Sequence, residues 1–251
     1  MPLEVRDVGG HITLITIDNQ SKRNAMSRAM LAELAALWDR LDTSGVRCVV
    51  VTGAGEKGFC AGADIGGDLS ADETAARTIN RALLKTSTFS KPIIAAVNGD
   101  CAGGGVELLL ATDIRGAAQH ARFGLPEVRY AIYPFGGATV KLVQQIGYVH
   151  AMDLLLTGRL VDTDFAEKIG LINQAVPAGS LMDWAMEKAQ AIAANSPAAV
   201  QAVKTQISAS IADYSISREA LEQQLGDKVR ASSDFAEGVA AFREKRKPNY
   251  V

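Results

Sequence analysis

Apolar runs that end at turn residues recur along this chain, at His11 to Asp18, Arg47 to Gly53, Pro92 to Asn98 and Ile172 to Pro177, with shorter ones at Asp113 to Ala117 and Ala121 to Phe123. Each reads as a strand. Between them the period changes: Leu31, Leu34, Leu37, Trp38 and Leu41 follow helical spacing after Ser27 as cap, and Ala71 to Ser87 carries a weaker version of the same pattern. Strands alternating with crossover helices predict an α/β class. From about Ser180 the strands cease, and the pattern predicts successive helices over Leu181 to Ala194, Pro197 to Ala212 and Ser217 to Ala231. Ser196 and Pro197 suit a cap and a first helical position. A last helix should begin near Asp234, with Glu237 as reciprocal cap, and run through Lys247 until Pro248 stops it. The apolar residues of these C-terminal helices need a surface, either the core or another subunit.

Two Gly-rich stretches follow strands. Gly58-Phe59-Cys60-Ala61-Gly62-Ala63-Asp64 comes after Arg47 to Gly53, and Asn98-Gly99-Asp100-Cys101-Ala102-Gly103-Gly104-Gly105-Val106-Glu107 comes after Pro92 to Val97 and opens a short apolar helix. The first N–H groups of a helix have no intrahelical partner and carry the positive end of its dipole. Glycine lets a ligand approach them closely. One N–H from each loop would make a two-donor oxyanion hole. Taken singly, either loop is also an ordinary turn.

Composition narrows the partners. The 251 residues are 48% apolar, enough for one full core, and a net charge of -2 supplies no field for nucleic acid. The N-terminus lacks a basic and apolar leader, and no apolar run approaches a membrane span, so a cytoplasmic protein without membrane contact is expected. Cys48, Cys60 and Cys101 are odd in number and sit in strands or beside the Gly loops, which predicts reduced, buried thiols. His11, His120 and His150 show no metal-ligand spacing, so no metal site is predicted.

Two glutamates bear on the chemistry. Glu107 falls in the first turn of the helix opened by Gly103 to Gly105, where the dipole favours its charge and Leu108 to Leu110 oppose it by desolvation. Glu127 follows Pro126, at a loop or helix start. Two carboxylates sharing one water could add it across a polarised double bond. Singly, each could also be a cap or a solvated charge.

On these residues the chain resembles the enoyl-CoA hydratase/isomerase (crotonase) superfamily over almost its whole length. The matching segments, in order, are Lys22 to Ser27, Gly58 to Asp64, Lys91 to Glu107, Phe123 to Glu127, Leu155 to Arg159 and Gly170 to Ile172, with the end from Glu237 to Lys247 resembling the family's closing helix. The resemblance implies an α/β fold, a spiral of ββα units over residues 1–192, followed by a helical oligomerisation region over 193–251. It implies a homotrimer or homohexamer, an acyl-CoA thioester as substrate and no cofactor beyond that CoA.

By motif match, the N–H groups of Ala61 and Gly104 would hold the thioester oxygen, with Glu107 as base and Glu127 as acid. Lys22, Arg23, Ala25, Gly62, Ala63, Asp64 and Ile65 would follow the CoA and pantetheine, Lys22 and Arg23 near its phosphates. Phe242 and Lys245 on the closing helix would meet adenine and phosphate in a site shared with a neighbouring subunit. Asp100 and Phe135 depart from the usual hydratase pattern near the acyl pocket. Both glutamates favour hydration over isomerisation. An RNA-binding homologue would need a basic helix face, whereas the helix from Arg28 to Leu41 sets Arg28 and Arg40 against Glu33 and Asp39. A non-catalytic CoA-binding scaffold is the other non-enzymatic alternative.

Overall fold

The structure is a computed structural model that describes residues 3–64 and 73–250. Two sheets carry the fold. Strands β1 (Leu3–Asp7), β2 (Ile12–Ile17), β3 (Cys48–Gly53), β5 (Ile93–Val97), β7 (Ile114–Ala118) and β10 (Gln174–Val176) form a six-stranded sheet in the order β1-β2-β3-β5-β7-β10. Only the β1–β2 pair in it is antiparallel. The short strands β4 (Gly58–Cys60), β6 (Asp100–Ala102), β8 (Arg122–Gly124) and β9 (Leu160–Asp162) form the second sheet, in chain order. Strand β4 thus follows β3, β6 follows β5 and β8 follows β7, so each turn of the spiral lays one long strand in the first sheet and one short strand in the second. The apolar runs show the long strands and also β8 and β10, expected at Ala121 to Phe123 and Ile172 to Pro177, whereas β1, β4, β6 and β9 are too short or too polar to announce themselves.

The corners between the sheets are tight. A Cβ at Gly53 would collide with the Gly58 carbonyl, and one at Gly99 would sit 2.5 Å from Gly58 N. Two asparagines close these corners with hydrogen bonds. Asn98 Oδ1 accepts from Gly53 N at 2.9 Å while its Nδ2 donates to Gly55 O at 2.7 Å, and Asn24 Nδ2 donates to Gly58 O at 2.7 Å.

Alternation along the long strands divides the core. Val49 and Val51 of β3 face the interior between the sheets and helix α1 (Arg28–Asp42), while Cys48 and Val50 face helix α7 (Leu181–Ala193). Helix α1 starts where expected: Ser27 Oγ accepts from Met30 N at 3.3 Å, and Leu34, Leu37 and Trp38 are buried. Trp38 is fully enclosed against Phe89, with Nε1 donating to Ala82 O at 2.9 Å. Truncating such a side chain to alanine costs about 3–5 kcal/mol. All three cysteines are buried and unbridged, as expected, and burial pushes Cys48 and Cys60 up to about 12, which keeps them as unreactive thiols.

Helix α2 (Glu73–Ala82) is shorter than the expected 71–87 segment, of which residues 71 and 72 lie outside the described part. Helix α3 (Gly104–Leu109) follows β6; α4 (Ala138–Ile146), α5 (Tyr148–Thr157) and α6 (Thr163–Lys168) complete the core. The two expected helices after Pro197 are instead one, α8 (Pro197–Arg230), followed by α9 (Ser233–Glu244). Continuity through the join is possible because Ser215 Oγ donates to Ile211 O at 2.9 Å, so this buried polar residue is satisfied within the helix itself. Among the described residues, no helix is long and apolar enough to cross a membrane.

Candidate active site

The first Gly loop is braced along one edge by residues 22–26. Ala61 N donates to Arg23 O at 3.1 Å, Met26 N to Gly62 O at 2.8 Å and Asp64 N to Met26 O at 3.0 Å, while Lys22 Nζ donates to Asp64 Oδ2 at 2.6 Å. The Ala61 N–H is therefore committed, which corrects its expected place as an oxyanion donor. Residue Ala63 lies between the two bonded neighbours, so its N–H points to the opposite edge of the loop, toward α3. A Cβ at Gly104 would lie 3.4 Å from Ala63 N, and one at Gly62 would lie 3.0 Å from Gly104 N. Gly62 itself has φ +97, which favours glycine.

Gly104 is the first residue of α3, after Gly103 at φ 57, and among the described residues neither Gly104 N nor Ala63 N has an acceptor. Ala63 is exposed and Gly104 half-buried, so the two donors open on reachable space. Each of the two loops thus brings one N–H without an acceptor among the described residues; the sequence did not show which N–H groups the 22–26 segment uses up.

Glu107 is buried one turn into α3. Its Oε1 accepts from Ala138 N at 3.3 Å, and a Cβ at Gly136 would collide with Oε2. Burial pushes its carboxyl above the ordinary range, opposed by the Ala138 and Gly136 N–H groups and by Lys85. Glu127 stands in a 3-10 turn (Pro126–Tyr130) whose Pro126 opens it. The residue is half-buried, but its Oε2 is fully enclosed and accepts no hydrogen bond among the described residues. Burial, then the charge of Glu107, push Glu127 upward. Its Oε1 would lie 3.3 Å from a Cβ on Gly103, directly over the glycine that opens α3. The structure thus brings Gly104, Glu107 and Glu127 to one place, with Ala63 in place of Ala61.

Other expected residues fall around this centre with different engagements. Ala25 is buried, and its carbonyl accepts from Asn19 Nδ2 at 2.8 Å. Arg23 is exposed and lies 3.6 Å from Asp100, which Arg122 grips at 2.6 Å. Asp100 is thus the anchor of a surface ion pair. Ile65 lies outside the described residues. Phe242 and Lys245 lie on the closing helix, where Phe242 meets Tyr130 edge-on at 5.1 Å and a Cβ at Gly238 would collide with Tyr130 O. Tyr250 Oη adds a bond to Arg129 O at 2.8 Å. Within the chain, the closing helix is seated on the turn that carries Glu127, an approach that Gly238 permits. Tyr130, Phe242, Arg243, Lys245 and Lys247 line a hollow of about 670 Å³ there.

Several residues near the carboxylates gave no usable signal. Lys85 follows two leucines, Glu222 follows Leu221 in a helix of mixed polarity, and Lys141 sits in α4, yet all three are buried. A lysine or glutamate in a mixed segment reads as solvated unless its partner is known.

The sequence model described as enoyl-CoA hydratase/isomerase matches residues 7–251. The chain is 41% identical to enoyl-CoA hydratase EchA19 of Mycobacterium tuberculosis over 96% of its own length and 93% of that protein's. Its fold is similar to the crystal structure of an enoyl-CoA hydratase/isomerase from Pseudoalteromonas atlantica, with TM-score 0.91 at 28% identity and full coverage of both chains. It is also similar to the enoyl-CoA hydratase of Bacillus anthracis, with TM-score 0.79 at 35% identity over 100% of this chain and 99% of that one. With the loops, the helix and the spiral in register over this whole length, the chain belongs to the enoyl-CoA hydratase/isomerase family.

Proposed function

We propose that the protein hydrates a 2-trans-enoyl-CoA thioester reversibly to the 3-hydroxyacyl-CoA. The observation that carries this is the pair of enclosed carboxylates, Glu107 and Glu127, beside two backbone donors that have no acceptor among the described residues. The N–H groups of Ala63 and Gly104 would bind the thioester oxygen, draw electron density from the double bond and stabilise the enolate; removing one such donor typically costs about 100-fold to 1,000-fold in rate. Glu107 accepts two backbone N–H groups and faces Lys85, which favour its ionised form, so it is the base that takes a proton from water. Glu127 has only its own backbone N–H to favour its ionised form and feels the charge of Glu107, so it keeps its proton more readily and delivers it to the α carbon. One proton added and one removed leave the pair ready for the next turn once they equilibrate.

The nucleotide end of CoA is assigned to the Phe242–Lys247 hollow, where an aromatic ring and exposed cations meet. A homotrimer or homohexamer fits the exposed apolar residues Val203, Ile207, Leu221 and Leu225 along α8. Isomerisation between α and γ carbons needs one carboxylate and no water, and gives no use to the second enclosed glutamate. The test is purified protein with crotonyl-CoA, following loss of the conjugated thioester absorbance and identifying 3-hydroxybutyryl-CoA by mass. Conversion of 3-enoyl-CoA to 2-enoyl-CoA with no hydration would replace this assignment by the isomerase.

A further inference from the structure

Behind Glu107 lies a group of buried charges that addition of water does not itself employ. Lys85, Lys141 and Glu222 are 3%, 3% and 4% exposed. An ion in such an interior costs several kcal/mol unless it is paired. They arrive from three parts of the chain: Lys85 just after α2, Lys141 from α4 and Glu222 from the second half of α8. Lys85 Nζ lies 2.6 Å from Glu222 Oε2, an ion contact not aligned as a hydrogen bond, and Thr139 Oγ1 donates to Glu222 Oε1 at 2.6 Å. The residue before Thr139 is Ala138, whose N–H holds Glu107. A Cβ on Gly137 would lie 3.2 Å from Lys85 Cγ, so the lysine stem packs directly against the same turn. Helix α8 is therefore connected to the Glu107 carboxylate through Glu222, then Thr139 and Ala138, with Lys85 clamped beneath.

We infer that Lys85 and Glu222 are positioning residues for Glu107: their ion pair fixes α8 on the Gly136–Thr139 turn, and the turn presents its N–H groups to the carboxylate. This matters to turnover only if Glu107 acts as proposed above. The two members act on Glu107 with opposite sign, since Lys85 favours its charged form and Glu222 opposes it. The other titratable groups around Glu107 are Glu127 from the 3-10 turn, Tyr133 from the segment before Gly136, and Lys141 from α4. Lys141 is tied to Leu83 O at 3.2 Å and Leu84 O at 2.5 Å, and burial brings it down to about 7.

The test is a carboxyl-carbon NMR titration of the full chain, with the Glu107 signal assigned by its loss in Glu107→Gln. Lys85→Met is expected to move the Glu107 midpoint up by about one pH unit, and Glu222→Gln to move it down by a similar amount, because Lys85 is then left facing Glu107 alone. The double variant Lys85→Met/Glu222→Met removes both charges; replacement of a buried pair by apolar residues is often neutral for folding, so it stays folded with a midpoint near that of the parent. In crotonyl-CoA turnover, Thr139→Val should lower kcat about tenfold with KM little changed, the signature of a mispositioned base. Midpoints that stay fixed, or move the same way in both single variants, would overturn the inference whether or not the chain hydrates enoyl-CoA. A parent protein that hydrates no enoyl-CoA, with midpoints that still move apart, would instead retain the positioning network and remove the hydratase assignment.

Discussion

Gln in place of Glu107 or Glu127 keeps the size of the side chain but removes the exchangeable proton. Each replacement is expected to lower hydration on the order of 100-fold to 10,000-fold, measured as kcat/KM with crotonyl-CoA, while thioester binding persists. Both carboxyls have pKa values raised by burial, so the folded chain holds their protons at pH values where the unfolded chain releases them. Their contribution to stability is complete below the ordinary glutamate range and is lost as pH rises through the raised values. Glu127→Gln, neutral throughout, should therefore raise Tm by a few degrees relative to the parent at pH 8.5 and leave it unchanged at pH 4, where both forms are uncharged. An equal effect at both pH values would show that the carboxylate is not held in an enclosed site. At this scale the sequence told much: Glu107, Glu127 and Gly104 stand together as their motif spacing implies. The exchange of Ala61 for Ala63 was hidden, because it depends on Arg23 O and Met26 O reaching across from another part of the chain.

Helix α8, at 34 residues, spans about 51 Å and touches the site with its second half. At Gly226 a Cβ would collide with the Phe135 ring, and Arg230, one turn further on, lies 4.4 Å from that ring's centroid. Gly226→Val is expected to cost about 1–3 kcal/mol by overpacking, read as a drop in Tm and as faster amide exchange over Ala212 to Arg230 than over β3 and β5. The departure at Phe135 noted in the sequence thus has a packing partner ninety residues away, as roughly counted along the chain. Helix α9 makes the second contact. Deleting the residues after Gly238 removes Phe242, Lys245 and Tyr250 together, and should raise KM for crotonyl-CoA by about tenfold, equivalent to about 1.4 kcal/mol, with a smaller change in kcat. An unchanged KM would free the hollow beside Tyr130 from any part in CoA binding. Long strands, β8, β10 and strong helices were legible from the apolar pattern, whereas β4, β6 and β9 are strands because neighbours pair with them, and α8 was divided because Ser215 and its surroundings interrupt the apolar pattern.

Taken as a whole, the molecule leaves a row of apolar side chains on the outside of α8, among them Val203 at 63% and Ile207 at 59% exposure. Their spacing keeps Val203, Ile207, Tyr214, Leu221 and Leu225 along adjoining faces of the helix. Such a row is expected to be covered by copies of the same chain, so multi-angle light scattering should return a trimer or a hexamer. A monomer at micromolar concentration would refute that assembly. The α/β class and the C-terminal helical region were readable from the order of elements, and the spiral was implied by the family resemblance; the placement of the closing helices on the turn that carries Glu127 was not readable, since it is decided by Gly226 and Gly238, where the absence of a side chain makes room.

That placement has a consequence for how activity is gained and lost. The loop after β4 and helix α3, which carry the Ala63 and Gly104 N–H groups, precede α8 and α9 in the chain, and the two buried clusters beneath them are built without those helices. The residues that anchor Glu107 and roof Glu127 follow them in synthesis, at roughly 5–20 residues per second in the cell. A nascent chain can therefore have its spiral wound and the Ala63 and Gly104 N–H groups in place before the turn that carries Glu127 is covered. In the folded protein the same order predicts opening in the reverse direction: loss of the Glu222 contacts with Lys85 and Thr139 should free the C-terminal helices before the sheets melt, read as faster amide exchange over α8 and α9 than over β3 and β5.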